Sequence, residues 1–300
     1  FLEQLAKENQ AQERNDALAT QEMREGGEVV QPEGEESAVF SVSRLVVEEV
    51  EPKGNFPVSG AQFYQQRLAA LQQGKLYTRL PRDSFSERWQ NAKQQPSHEQ
   101  WQELLRYEAR AIALGQGQNR LNLLVGDSLS AWFPTEDLPK RAFWLNQSIS
   151  GENTQQIRQR LSLFAETRPQ TIYVMAGIND LRQGVSEEAI LENYRAIAQQ
   201  LKQQHPQAKI VLQSLLPTRD QTLNPRIRRL NQALAQIAET EKLLYLNLHA
   251  FFVDNNGHLH RDFTTDGIHL TADGYEVWQQ ALNQVQAWLD VQYPFQSYTL

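Results

Sequence analysis

Four short stretches of this 300-residue chain carry residue types that suit acyl transfer: GDSLS at 126–130, SISG at 148–151, GIND at 177–180 and DGIH at 266–269. A serine hydroxyl barely ionises at neutral pH, so Ser128 becomes a nucleophile only where a base removes its proton. His269 is the candidate base. Asp266, three residues earlier in a tight turn, can hold the imidazole tautomer and stabilise the imidazolium. A tetrahedral oxyanion needs donors already in place. The backbone N–H groups of Ser128 and Gly151 and the side-chain amide of Asn179 are three candidates. Gly151 suits the role because no side chain keeps a substrate from its N–H. Taken singly, each residue has a plainer reading: a turn acid for Asp127, a turn glycine for Gly151, a loop cap for Asn179, a structural histidine for His269. Their joint placement, each after a different predicted strand, argues for a site.

The elements that must position them can be read from periodicity. From residue 118, short apolar runs alternate with amphipathic stretches. LNLLV (121–125), FWLN (143–146), TIYVM (171–175), KIVLQS (209–214) and LLYLN (243–247) are short and rich in β-branched and aromatic residues, as buried strands are. Helices are predicted over 186–204, with Ile190, Tyr194, Ile197 and Leu201 in phase, and over 224–241. The latter has Asn224 as N-cap, Pro225 at the first helical position, and Ile227, Leu230, Leu234 and Ile237 on one face. A last helix starts near Thr271 and carries Tyr275, Trp278, Leu282, Val285 and Leu289. Such alternation predicts an α/β fold with a parallel sheet and helices on both faces. Right-handed crossovers bring every strand's C-terminal end to one edge, where ligands bind in such sheets. The four stretches all fall there, as does the loop 216–224. Trp132, Phe133 and Pro134 after the serine, and Leu181 and Arg182 after GIND, are the candidate substrate-pocket residues.

Upstream, the pattern differs. Residues 58–116 read as a helical extension. AQFYQQRLAALQQG places Phe63, Leu68 and Leu71 near one face and ends in Gly74 at C′. Ser97 with Gln100 forms a capping-box pattern ahead of Trp101, Leu104, Leu105, Tyr107 and Ile112, and Gly115 and Gly117 close that helix. Residues 1–57 read as an acidic, flexible tail. GGEVVQPEGEE (26–36) has linker composition, FLEQLAKENQAQ before it could form a frayed helix, and AVFSVSRLVV after it could dock on the folded body. Residues 117–300 are then the main domain.

Charge supports that division. Residues 1–60 hold 13 Asp/Glu and 5 Lys/Arg, a net of −8, whereas residues 61–300 hold 23 and 24, a net of +1. No basic stripe of a nucleic-acid binder is present, so nucleic acid is not an expected partner. The N-terminal segment is a candidate attachment to a membrane or a protein. Oligomeric state is left open. The chain has no cysteine, which excludes disulfides, thiolate metal sites and a cysteine nucleophile together. It begins at Phe1, leaving room for a signal or anchor ahead of it. The compartment is therefore open between cytoplasmic and exported or anchored. No stretch reaches the ~20 apolar residues of a membrane-spanning helix.

GDSLS, Gly151, GIND and DGIH, in this order, resemble the four blocks of the SGNH (GDSL) hydrolase family over roughly residues 118–290. The resemblance implies that Ser128, Gly151, Asn179 and His269 are the namesake residues, that Asp266 completes the triad, and that the sheet is a flavodoxin-like three-layer sandwich of strand order 2-1-3-4-5. The spacing from GIND to LLPTR and the run Asn231 to Leu234 resemble the platelet-activating-factor acetylhydrolase branch. GDSLSA and SISGENT resemble the bacterial thioesterase I/lysophospholipase branch. Residues 1–116 have no counterpart in the minimal family domain. A G-x-S-x-G elbow, the mark of the α/β-hydrolase fold, is absent.

The expected function is a serine esterase acting on a small-molecule carboxylic ester, lipid or acetyl-carbohydrate, with no cofactor. Two alternatives use the same residues: an O-acyltransferase whose acyl-enzyme is captured by a sugar hydroxyl, and an interaction protein with a hydrolase-like domain as scaffold. A third is a metal site, for which DNNGHLHRDFTTDGIH offers Asp254, His258, His260, Asp262, Asp266 and His269. Against it, His258 and His260 would share a direction only in a strand, and the Asn-Asn-Gly before them reads as a turn.

Overall fold

Period-two alternation along three of the strands sorts their side chains onto two faces. In strand β1 (Leu121–Gly126), Leu121, Leu123 and Val125 enter one apolar cluster and Leu124 the other. Strand β3 (Thr171–Met175) splits Ile172 and Val174 from Tyr173 and Met175, and β4 (Lys209–Gln213) splits Ile210 and Leu212 from Val211. With β2 (Phe143–Asn146) and β5 (Leu244–Leu246) they form one sheet, order β2-β1-β3-β4-β5, every pair parallel. A sheet buried on both faces needs a helical layer on each. This computed structural model describes residues 56–293. The acidic tail expected over residues 1–57, with its linker and docking segment, lies outside the described residues, apart from Phe56 and Pro57.

In the upstream part, α1 (Gly60–Gln72), the short α2 (Ser86–Trp89) and α3 (His98–Gly115) precede β1. Then come α4 (Ser128–Ala131), α5 (Thr154–Gln159), α6 (Ile178–Arg182), α7 (Glu187–Gln204), α8 (Asn224–Thr240), α9 (His249–Phe252) and α10 (Ala272–Gln292). One outer layer is built mainly from α7 and α8, whose Ile190, Tyr194, Ile197, Leu201, Ile227, Leu230 and Leu234 are fully buried; Ala109 of α3 joins the same cluster. The other is built on α10, through Tyr275, Trp278, Leu282, Val285 and Leu289. No helix among the described residues is long and apolar enough to cross a membrane.

Three local expectations are corrected. Asn224 does not cap α8; the cap position falls on Leu223. The Asn224 amide instead brackets Thr218, accepting from its N–H at 2.8 Å and donating to its carbonyl at 2.9 Å. A buried loop backbone without water has more need of that amide than a helix end does. In α1, Leu68 and Leu71 are only half-buried, and the helix buries Arg67 alongside Phe63, Ala69 and Ala70. Arg67 is tolerated there because Glu108 of α3 and the Asn146 carbonyl accept its N–H groups and the Tyr77 ring lies 4.4 Å beneath it. Tyr107 of α3 points outward, 49 % exposed, while Leu104 and Leu105 are buried. The Ser97–Gln100 capping box forms as expected.

Candidate active site

Ser128 is the first residue of α4, directly after β1 and its N-cap Asp127, whose carboxylate accepts from the Leu129 N–H at 3.1 Å. The strand-to-helix turn is tight because Gly126 permits it. A Cβ there would stand 2.3 Å from the Met175 carbonyl oxygen and 2.8 Å from Ser130 Oγ, distances real side chains do not reach. Two further bonds fix α4. Asn146 Nδ2, at the end of β2, donates to the Ser130 carbonyl at 2.7 Å, and the Tyr275 hydroxyl donates to the Leu129 carbonyl at 3.0 Å.

His269 arrives from the far end of the chain. Its Nε2 lies 3.0 Å from Ser128 Oγ, and its Nδ1 2.7 Å from Asp266 Oδ2. Asp266 Oδ1 also accepts from the backbone N–H groups of Ile268 (3.0 Å) and His269 (2.8 Å). Partial burial pushes the Asp266 pKa up, but the hydrogen bonds from the His269 ring and from these two amides outweigh it, and the net is a fall to about 2. The loop is braced by Thr264, whose hydroxyl donates to the His269 carbonyl, and by the Arg219 N–H, which donates to the Gly267 carbonyl at 2.9 Å. The β4–α8 loop thereby anchors the histidine loop.

Gly151 sits on the exposed loop after β2 with φ +85°, and an added Cβ would meet nothing within 4 Å. Its requirement for glycine is one of backbone conformation rather than room. Asn179, in α6 after β3, is 9 % exposed, and one N–H of its Nδ2 donates to the Glu152 carbonyl at 2.9 Å. That bond orients the amide and leaves its second N–H unassigned. Next to it, the Asp180 carboxylate accepts from the Thr154 N–H at 2.9 Å and tethers the β2 loop to α6.

The candidate pocket residues separate. Trp132 is half-buried at the rim, its indole N–H 3.2 Å from Ser150 Oγ. Arg182 is exposed. Leu181 is 3 % exposed and packs in the core, and Phe133 packs against Tyr275 and Trp278. A small cavity, bordered by chain neighbours of Ser128, Asn179 and His269, is lined instead by Asp127, Leu129, Met175, Ile178, Leu215–Thr218 and Ile268. Leu129, Ile178 and Ile268 are chain neighbours of the singled-out residues, so the rim rule could have found them. Glu152 and Arg160 carried no sequence signal, since nothing in the chain announces a buried ion pair. Of the acids and histidines offered as metal ligands, Asp254 holds the Asn256 and His258 N–H groups and Arg219, His260 faces Asp262 at 3.5 Å, and Asp266 bonds to His269, which faces Ser128. Among the described residues no three such side chains gather as ligands.

Comparison with known proteins agrees with this layout. The GDSL-like Lipase/Acylhydrolase family matches residues 115–277, more than half of the chain. The alpha1 subunit of platelet-activating factor acetylhydrolase IB from Bos taurus is 29 % identical over 173 residues, covering 54 % of this chain and 73 % of that protein. A solved structure from Streptococcus pneumonia, described as a platelet activating factor protein, superimposes with TM-score 0.56 at 25 % identity over 62 % of this chain and 93 % of its own. A GDSL-like lipase of Bacteroides thetaiotaomicron shares the fold, with TM-score 0.53 at 21 % identity over 61 % of this chain and 96 % of that one. The chain therefore belongs to the GDSL-like lipase/acylhydrolase family and is an ester hydrolase.

Proposed function

We propose that the chain is a serine esterase that removes a short acyl group, such as acetyl, from a carboxylic ester through an acyl-enzyme. The observation that carries this reading is the line Ser128 Oγ–His269 Nε2–Asp266, at 3.0 and 2.7 Å, beside a small apolar cavity. Ser128 Oγ bonds to the ester carbonyl carbon as its proton passes to His269 Nε2. The negative charge moves to the carbonyl oxygen, toward the amides of Ser128 and Gly151 and the side chain of Asn179. The carbon–alkoxide bond then breaks, and His269 returns the proton to the leaving alcohol. Water adds to the acyl-serine, its proton going to His269. Collapse releases the carboxylic acid and restores the Ser128 hydroxyl. Asp266 keeps Nδ1 protonated, so that Nε2 is the free base.

The cavity supports the short acyl group. Its free interior is about 10 Å³, room for about one water-sized group, so a long acyl chain has no preformed place in it. The cattle relative is an acetylhydrolase subunit by name, which supports the same reading. The alcohol portion would then lie over the exposed Ser150–Gly151 loop and Trp132.

Ser128→Ala should abolish hydrolysis of p-nitrophenyl acetate while leaving the circular dichroism spectrum unchanged; retained turnover removes the proposal. Asn179→Ala should lower kcat by about 10²–10³ if its amide serves the oxyanion. Along a series from acetate to decanoate, kcat/KM should fall beyond about four carbons, as expected for a site of the size described. A maximum at long chains would overturn the short-acyl reading.

A further inference from the structure

Helices α1 and α3 contribute no strand to the sheet, yet their side chains reach the loop that carries Gly151. His98, the first residue of α3, places Nε2 2.8 Å from Glu152 Oε1. Glu152 directly follows Gly151 and is 1 % exposed. Its carboxylate also accepts from Arg160, whose Nε lies 2.9 and 2.7 Å from the two oxygens. Arg160 in turn donates to the Gln147 carbonyl at 2.6 Å and the Gly126 carbonyl at 3.4 Å, at the exits of β2 and β1. Through its backbone, Glu152 accepts the Asn179 amide. One residue thus connects the Gly151 loop, the Asn179 side chain and the turn before Ser128. On the other side of Gly151, Ser150 meets the Trp132 indole, which stacks on Phe63 of α1 with ring centroids 4.9 Å apart. The loop 150–152 is held from both ends by groups that the upstream helices supply or back.

We propose that His98 is a positioning residue for the oxyanion site, acting through Glu152 on the Gly151 amide and the Asn179 side chain. The inference rests on the esterase reading above. Oxyanion donors lower a barrier because they need not reorganise as charge develops. Arg160 fixes Glu152 from the interior, and His98 fixes it from the solvent side. The His98 side chain is 42 % exposed and that of Glu152 1 %. Without His98 the buried carboxylate keeps its bonds from Arg160, so it is not left as an unpaired buried charge, and the rescue by a donor at the same place separates positioning from folding.

The test uses the full chain and a short-chain p-nitrophenyl ester. His98→Leu should lower kcat about tenfold, a fraction of the loss from deleting a donor, with KM within about twofold and an unchanged far-UV circular dichroism spectrum, because Glu152 keeps Arg160 as its partner. His98→Gln, whose amide can donate from the place of Nε2, should recover kcat to within about threefold of the parent. In an Asn179→Ala background His98→Leu should cost less than in the parent, because coupled residues are non-additive. Unchanged kcat in His98→Leu, no recovery in His98→Gln, or equal fold losses in both backgrounds overturns the proposal. Ser128→Ala run alongside separates the two readings. If Ser128→Ala is inactive while His98→Leu is fully active, only the positioning role fails; if Ser128→Ala is active, the esterase reading itself fails.

Discussion

Asp127 is a carboxyl group adjoining the nucleophile and 1 % exposed. Burial pushes its pKa up from 3.8 to about 7, against the lowering effects of the Leu129 N–H and His269 and with smaller raising contributions from Asp180 and Glu152. A raised folded-state pKa means that the native protein holds this proton while the unfolded chain releases it. The associated stability is fully present below about pH 4 and is lost as pH rises through about 7. Asp127→Asn keeps the bond to the Leu129 N–H and removes the titration. Urea unfolding at pH 4.5 and pH 8 should show the parent losing more stability across that interval than the variant, by an amount on the order of a few kcal/mol. Identical pH slopes would show that Asp127 does not titrate as described. Asp266 behaves oppositely. Its pKa is held at about 2, so it remains ionised through the working range, and its contribution to stability is lost only as pH falls from about 4 through about 2. These two acids lie on the same rim, and the local sequence does not distinguish their ionisation. Burial in the fold decides it for Asp127, and the hydrogen bonds from the His269 ring and the Ile268 and His269 amides decide it for Asp266.

Helices α1 and α3 meet through the Arg67–Glu108 pair, which is buried on both sides. Burial raises the Glu108 pKa, and Arg67 opposes that rise. Removing one partner alone leaves an uncompensated buried charge, which typically costs about 3–5 kcal/mol. Arg67→Met should therefore lower stability to denaturant by about that amount, and adding Glu108→Gln should restore part of it. Equal stability of Arg67→Met and the parent would show the pair to be energetically idle. The pair also explains the departure from the predicted face of α1. A hydrophobic-periodicity reading ranks Arg67 as solvent-facing, yet the site it occupies is lined by Glu108, the Asn146 carbonyl and the Tyr77 ring, contributed from three distant parts of the chain. By contrast, the capping box at Ser97 and the N-cap at Thr271 involve residues three apart, and local chemistry sufficed to place both.

At the level of the whole molecule, α3 places Ala109 in the same apolar cluster as β1, β3 and β4, and Phe63 of α1 stacks on Trp132 of the sheet domain. Shared packing of this kind predicts one cooperative transition. Tryptophan fluorescence, reporting on Trp89 and Trp101 as well as Trp144 and Trp278, should give the same urea midpoint as far-UV circular dichroism. Two separated midpoints would show that the upstream helices fold independently. The sequence by itself determined the alternating elements, the strands to within about one residue at their ends, and the four loops that bear Ser128, Gly151, Asn179 and the Asp266–His269 pair, because strand period, capping and turn chemistry act between near neighbours. Strand order came with the family resemblance. Only the tertiary structure decided which side chains line the cavity, that Leu181 belongs to the core, that burial raises the Asp127 pKa to about 7, and that Glu152 links Arg160, His98 and Asn179. Those outcomes depend on desolvation and on contacts such as Asn179–Glu152, 27 positions apart, and His98–Glu152, 54 apart, which no local pattern in the chain encodes.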